Sequence, residues 1–377
     1  MEPGAERDRL ELDLQVGRGS ACAVAYRYPA NESEKAWLRA INLLRNHPDD
    51  PRYFWARRGL STVYSARADL VAYAALAQET MERAKQSGDP AGLCVAHVMF
   101  ANLCVYTGKF ASAEQEILEA ARHVRADSRH ESSRLSGADI TVQVPVGRMH
   151  ALSFRGDRAG AEWSMKEGLR LAEEQPQVGV LIWALFWASF RCLIERDLER
   201  AGALAGRAMA VASEQGFGFW ATAGQASQGA ALVIADPSRA AALIGDALAK
   251  LQGLLTWHPH FLCFEAEALL GLGRIVEARG ACDRALALSA STGVTWWDAE
   301  LHRIRAAVIR AENGGDTAVR EELARALAIA EQQGSGTFRL RAAADLDAMH
   351  AVVKRWGRND SCDGSPELLP LPDADAR

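Results

Sequence analysis

Between residues 275 and 311 the apolar positions change character from one helix to the next. Ala278, Cys282 and Ala285 stand at i, i+4 and i+7, which puts three small side chains on one stripe of a helix. Gly293 ends that helix where a residue tolerant of positive φ is wanted. Trp296 and Trp297 are expected to open the next helix, with Leu301, Ile304 and Val308 following at helical spacing. Small residues on one helix and bulky ones on the next describe a tightly packed hairpin.

The unit recurs. The first small position of the stripe falls at Ala36, Tyr73, Ala113, Ala161, Ala201, Ala240, Ala278 and Val319, at intervals of 37, 40, 48, 40, 39, 38 and 41 residues. Seven residues further on stand Ala120, Gly168, Ala208, Ala247, Ala285 and Ala326, while Leu43 and Thr80 depart from the rule. The period exceeds the roughly 34 residues of a tetratricopeptide repeat by nearly a helical turn per helix. The expected fold is all-α: a right-handed superhelical solenoid of about eight tetratricopeptide-like hairpins over residues 5–358. Helices are expected at about 5–25, from 31, and at 52–66, 70–86, 90–106, 110–125, 139–154, 158–174, 177–195 and 198–215. They continue at about 217–234, 238–255, 258–272, 275–292, 295–312, 317–333 and 337–357. Asp89 and Pro90 suit the cap and first turn of their helix. The polar stretch 126–138 reads as an irregular loop, and 359–377, with three prolines and five acidic residues, as a disordered tail.

Composition removes several functions from consideration. A net charge of −5 without a run of basic residues gives no electrostatic footprint for nucleic acid. Seven cysteines with no CxxC pair fit a reducing cytoplasm. The N-terminal MEPGAERDRLELDLQ has no apolar core of a secretory signal, and the apolar run Val178 to Phe190 stops at Arg191, as a buried helix would. A cytoplasmic protein is expected, with no membrane contact.

Several motifs resemble the C-terminal tetratricopeptide region of bacterial signalling ATPases of the adenylate/guanylate cyclase-like and MalT-like winged-helix regulatory types. Trp296, Trp297, Ala299, Glu300, Leu301, His302, Arg303 and Ile304 match that family's WW-x-AELHR-[LI] hairpin. Glu214, Gly216, Phe217, Phe219 and Trp220 resemble its EHGFPFW, and Asp127, His130, Gly137 and Asp139 its D-P-x-x-H…GQD element. LELDLQVGRG at 10–19 is similar to the start of its repeats. The likeness covers about residues 8–355 and implies a sensor arm whose effector and ATPase domains lie elsewhere. The chain itself carries no G-x-x-x-x-G-K-[ST] phosphate cradle.

Candidate binding residues are the aromatics at the starts of first helices: Tyr53, Phe54, Trp55, Phe217, Phe219, Trp220, Trp257, Trp296 and Trp297. On a concave face they could receive a peptide or flat ligand; they could equally wedge neighbouring repeats together. Asp127, His130 and Asp139 are the loop candidates. His258 and His260, with Cys263 and Glu265, lack the i, i+4 spacing of helical metal ligands, so no metal and no cofactor are expected. Glu300 with Arg303, and Asp298 with His302, are spaced for pairing on one helix. No nucleophile–base pair is recognisable, so the chain reads as non-enzymatic. It would bind a protein partner or effector domain on its concave face, or, alternatively, a small molecule in an aromatic pocket between repeats.

Overall fold

A computed structural model describes residues 5–25, 31–45, 47, 49–124 and 139–356. The expected loop at 126–138, with Asp127 and His130, and the expected tail at 359–377 lie outside these residues.

Among the described residues there are 17 α-helices and no strands. They are α1 (Ala5–Ala25), α2 (Asn31–Leu44), α3 (Arg52–Ala66), α4 (Leu70–Ser87), α5 (Pro90–Tyr106) and α6 (Phe110–Arg122). The chain goes on through α7 (Ile140–Arg155), α8 (Arg158–Glu173), α9 (Val178–Glu195), α10 (Leu198–Glu214), α11 (Gly218–Ala231) and α12 (Pro237–Lys250). A 3-10 turn, Leu255–Trp257, precedes α13 (His258–Gly271), followed by α14 (Ile275–Thr292), α15 (Asp298–Ala311), α16 (Asp316–Gln333) and α17 (Gly336–Trp356). Each odd helix pairs with the even helix after it, and odd helices pack on the odd helices of the adjacent hairpins. This is a tetratricopeptide-like helical-repeat solenoid with two layers.

The small-residue stripe is the contact between the layers. Ala113, Ala161, Ala201, Ala240 and Ala278 are at most 1% exposed, as are their partners seven residues on from Ala120 to Ala285, Gly168 also being buried. Side chains no larger than a methyl group let an even helix lie close against its odd partner, and close-packed interiors leave no slack there. Turn chemistry matches the sequence as well. Asp89 accepts from the Ala91 amide with Pro90 in the first turn of α5, and Gly293 ends α14 at φ +73°.

Two expectations need correction. Trp296 and Trp297 do not open a helix: α15 starts at Asp298, and the two tryptophans form the buried turn before it, where the amides of Thr295 and Trp296 are both given to the Tyr106 carbonyl, 2.9 and 3.3 Å away. The helices expected at 217–234 and 238–255 end at Ala231 and Lys250; Pro237 opens the second of them, and after it the chain turns at Gly253 into the 3-10 segment. The helix of the apolar run, expected at about 177–195, spans Val178–Glu195 and is long and apolar enough to cross a membrane by length and composition, but 72% of it is buried within the fold, as expected of a core helix. Arg191 is buried because Glu162 and Glu195 meet it at 2.6 and 2.8 Å.

The solenoid closes on itself. Helix α1 touches α11, α3 touches the 3-10 turn before α13, and α7 touches α17. The Tyr106 carbonyl at the end of α5 takes the two amides that precede α15. Each of these contacts joins hairpins five apart, so one superhelical turn takes five hairpins and the next turn lies directly on it. The seam between turns is polar. Ser335 donates to the Phe154 carbonyl at 3.0 Å, Thr337 to the Ser153 carbonyl at 2.5 Å, and Thr256 to the Ser65 carbonyl. At Gly336 any side chain would strike the Arg155 carbonyl, so the approach requires glycine.

An aromatic cavity on the superhelix axis

The axis of a closed solenoid must be filled, and aromatic rings from the odd helices and the turns before them fill it. Phe190 stacks on Trp296 at 5.2 Å, while Trp297 packs its edge against Phe154 and Phe338. His260 is fully buried against Phe261, Phe190 and the tryptophan pair, and neither ring nitrogen has a hydrogen-bond partner. Burial holds His260 well below the ordinary histidine range.

Towards the N-terminal hairpins the filling is incomplete and leaves a cleft. It encloses about 850 Å³ of atom-free space counted out to its open mouth, of which about 80 Å³ can hold the centre of a water molecule. Helices α3, α4, α5, α7 and α9, with Trp220, Leu254, Trp257 and Trp296 from later hairpins, form its walls. The site is therefore made across the seam: residues about 190 positions apart, such as Tyr106 and Trp296, meet only because the second turn covers the first.

The walls are apolar and aromatic, but one corner is strongly polar. Arg58 on α3 is 7% exposed. Its Nε and Nη2 donate to the Gln143 Oε1 at 3.0 and 2.6 Å, and its Nη1 to the Ser61 hydroxyl at 3.1 Å. Both acceptors are neutral. The neighbouring Arg57, equally buried, reaches the Glu79 carboxylate at 2.7 Å and lies over the Tyr53 ring. Tyr73 and Tyr106 complete this corner, edge to face at 6.4 Å; burial is the main reason both phenols are raised above their ordinary range. Ser65 donates to the Tyr106 hydroxyl at 2.9 Å. On the opposite wall His150 packs 4.6 Å from Trp187, and burial lowers it to about 3.

Of the residues singled out from the sequence, Trp220, Trp257 and Trp296 line the cavity. Trp297 is in the axial core beyond it, and Phe219 packs on Trp220 and Trp257. Phe217, half-buried, precedes α11. Tyr53, Phe54 and Trp55 belong to a separate N-terminal core and line no part of the cavity. Asp139 is buried at the start of α7, where it accepts from the Thr141 amide and hydroxyl at 2.7 and 2.6 Å. Arg58, Tyr73, Tyr106, Gln143, His150, Trp183 and Trp187 are cavity residues that sequence reasoning missed. One signal was available: a tyrosine at position 73, where the stripe asks for a small residue.

The WWxAELHR run has a structural explanation at every position. Trp296, Trp297, Ala299 and Leu301 are core residues. Glu300 is buried between Arg303 at 2.8 Å and Arg341 of α17 at 3.2 Å, and Arg303 also reaches Asp345 of α17 at 3.0 Å. Burial alone would raise the Glu300 carboxyl; the two guanidiniums outweigh it and hold the group at about 2. His302 does not pair with Asp298. It meets Glu322 of α16 at 2.7 Å, and Asp298 takes the Ser289 hydroxyl at 2.6 Å, because the helix carries those two side chains towards different neighbours. The motif ties the last helices to the array.

No family model matches the chain. An uncharacterized protein of Rhizobium meliloti is 36% identical over 113 residues, which are 29% of this chain and 11% of that protein. The chain thus spans about a tenth of the length of the curated relative it matches. Among solved structures, a Rap protein complexed with competence and sporulation factor is similar, with a TM-score of 0.60 at 10% identity over 93% of this chain and 99% of that one. NprR in complex with its cognate peptide NprX has a TM-score of 0.57 at 11% identity over 95% of this chain and 100% of that one. At such identities the likeness establishes the fold.

Proposed function

We propose that this chain is a non-catalytic sensor arm that takes a small ligand or short peptide end into the superhelix axis. Its occupancy would be passed to an effector or partner protein through the packing of the seam. The observation that carries this reading is the cavity itself. It is walled by both turns of the solenoid, so an occupant that bridges them favours the closed seam over an opened one. The narrowness of the axis supports a small occupant over a whole protein partner in the concavity, because the tryptophans that could have offered a docking face are packed against one another. NprR shows that a solenoid of this fold can hold a peptide.

The resemblance to regulatory regions of cyclase-like and MalT-like signalling ATPases supports placing the output in a separate domain or protein. The match to a segment of a much longer Rhizobium protein agrees with that arrangement. The test is a thermal-shift screen of small metabolites and short peptides, followed by tryptophan emission on each hit. Binders are expected to raise the melting temperature, to alter the emission of the buried tryptophans, and to lose affinity in Trp257→Leu. Hits that leave the emission unchanged and bind Trp257→Leu normally would place recognition on the outer surface and contradict the reading.

A further inference from the structure

Arg58 is the informative residue. A buried guanidinium is normally matched by a carboxylate, and the two other deeply buried arginines, Arg57 and Arg191, follow that rule. Arg58 meets only an amide oxygen and a hydroxyl, which leaves two of its five N–H groups unused. Among the described residues no Asp or Glu lines the cavity. The other buried polar atoms of its wall that lack partners include donors: Gln143 Nε2 and the indole N–H groups of Trp187 and Trp296. Cation, amide and indoles together form a donor-rich surface with a positive corner and aromatic walls.

From this geometry we propose that the cavity binds a carboxylate joined to a compact apolar group, the carboxylate set on Arg58 and Gln143 and the apolar body between Trp187, Trp257 and Trp296. The proposal rests on the axial-cavity reading above and adds the chemistry of the ligand. Planar bidentate pairing is what a guanidinium offers a carboxylate. Size limits the rest: only a small part of the cleft is wide enough for the centre of a water molecule, which suits a ring or a short branched chain rather than a bulky body. A free organic acid and the C-terminus of a short apolar peptide present the same chemistry.

The test uses the full chain and two matched pairs of probes: 3-phenylpropionate against 3-phenylpropionamide, and an acetylated apolar tripeptide ending in Phe as free acid against its amide. Binding is read by tryptophan emission and calorimetry. The acid is expected to bind at least about tenfold tighter than its amide in one pair or both. The pair that responds identifies the source, free acid or peptide end. Arg58→Met should lose that preference, while its ligand-free melting temperature stays level or rises, since an uncompensated buried charge has been removed. Were Arg58 merely structural, the same variant would melt earlier. Gln143→Glu is the second variant: it places a carboxylate on the guanidinium within the protein and should fold well yet bind the acid at least about tenfold more weakly. Equal binding of acid and amide with altered tryptophan emission would overturn the carboxylate assignment and leave the axial cavity as the binding site. Unchanged acid binding in both variants, or no response to any of the four probes, would also overturn the assignment.

Discussion

At the scale of single residues, the interior is set by a few polar groups placed where water does not reach. His150 and His260 are both neutral and buried among aromatic rings, and burial is the leading cause of their lowered pKa. In the unfolded chain each would take a proton near the ordinary value of 6.5; in the folded chain His150 waits until about 3. The unfolded state therefore binds more protons between those limits, and stability must fall as pH falls through the window. For His150 the loss between pH 7 and pH 5 is about 2 kcal/mol, and His260 acts in the same direction. Urea unfolding at the two pH values checks this, with His150→Leu and His260→Phe expected to flatten the dependence. A pH dependence as steep in the two variants as in the unmodified chain would show that these rings reach water. Glu300, held at about 2, loses its charge below this range, but burial raises Asp298 to about 6, so its protonation in the same window adds stability as pH falls, and the comparison of each histidine variant with the unmodified chain isolates the imidazole contribution.

At the scale of the helix, the decisive feature is the small-residue stripe. Ala208 on α10 is 1% exposed, and its neighbour Ala210 is exposed on the same helix. Ala208→Leu must force apart two helices packed at methyl-group spacing and is expected to cost about 1–3 kcal/mol or more, whereas Ala210→Leu should stay within about 0.5 kcal/mol. Chemical denaturation of the two variants compares a buried and a solvent position in one background. This stripe was also what made the fold legible. Small residues at i, i+4 and i+7 report a local contact inside one hairpin, and local contacts repeat with the sequence. The turn before α15 was not legible, because it is docked through the amides of Thr295 and Trp296 on Tyr106, a residue about 190 positions earlier. The aromatics could be seen to recur with the hairpins, but whether they faced solvent or each other depends on the pitch of the superhelix. That pitch comes from small rotations summed over five repeats, and no single repeat carries it. Arg58 was missed for the same reason: within α3 it resembles Arg57, and only the fold shows that one has a carboxylate and the other has Gln143.

For the whole molecule, the account depends on the second superhelical turn lying on the first. An open solenoid would expose the concave tryptophans and would have no axial cavity; a closed one hides them and builds a site from residues far apart in sequence. Stability across the seam comes from a few side-chain hydrogen bonds to carbonyls, from the close approach at Gly336 and from the axial aromatics. The amides of Thr295 and Trp296 report on it directly, since both lie outside the helices and donate to the Tyr106 carbonyl of the preceding turn. Their hydrogen exchange, followed residue by residue in the native chain, is the most direct measurement of the central claim. The closed solenoid predicts that both are protected nearly as well as amides in the middle of α9 and α13, and better still with ligand bound. Exchange at the rate of an exposed loop would mean that the turns are not in contact and that the axial site does not exist.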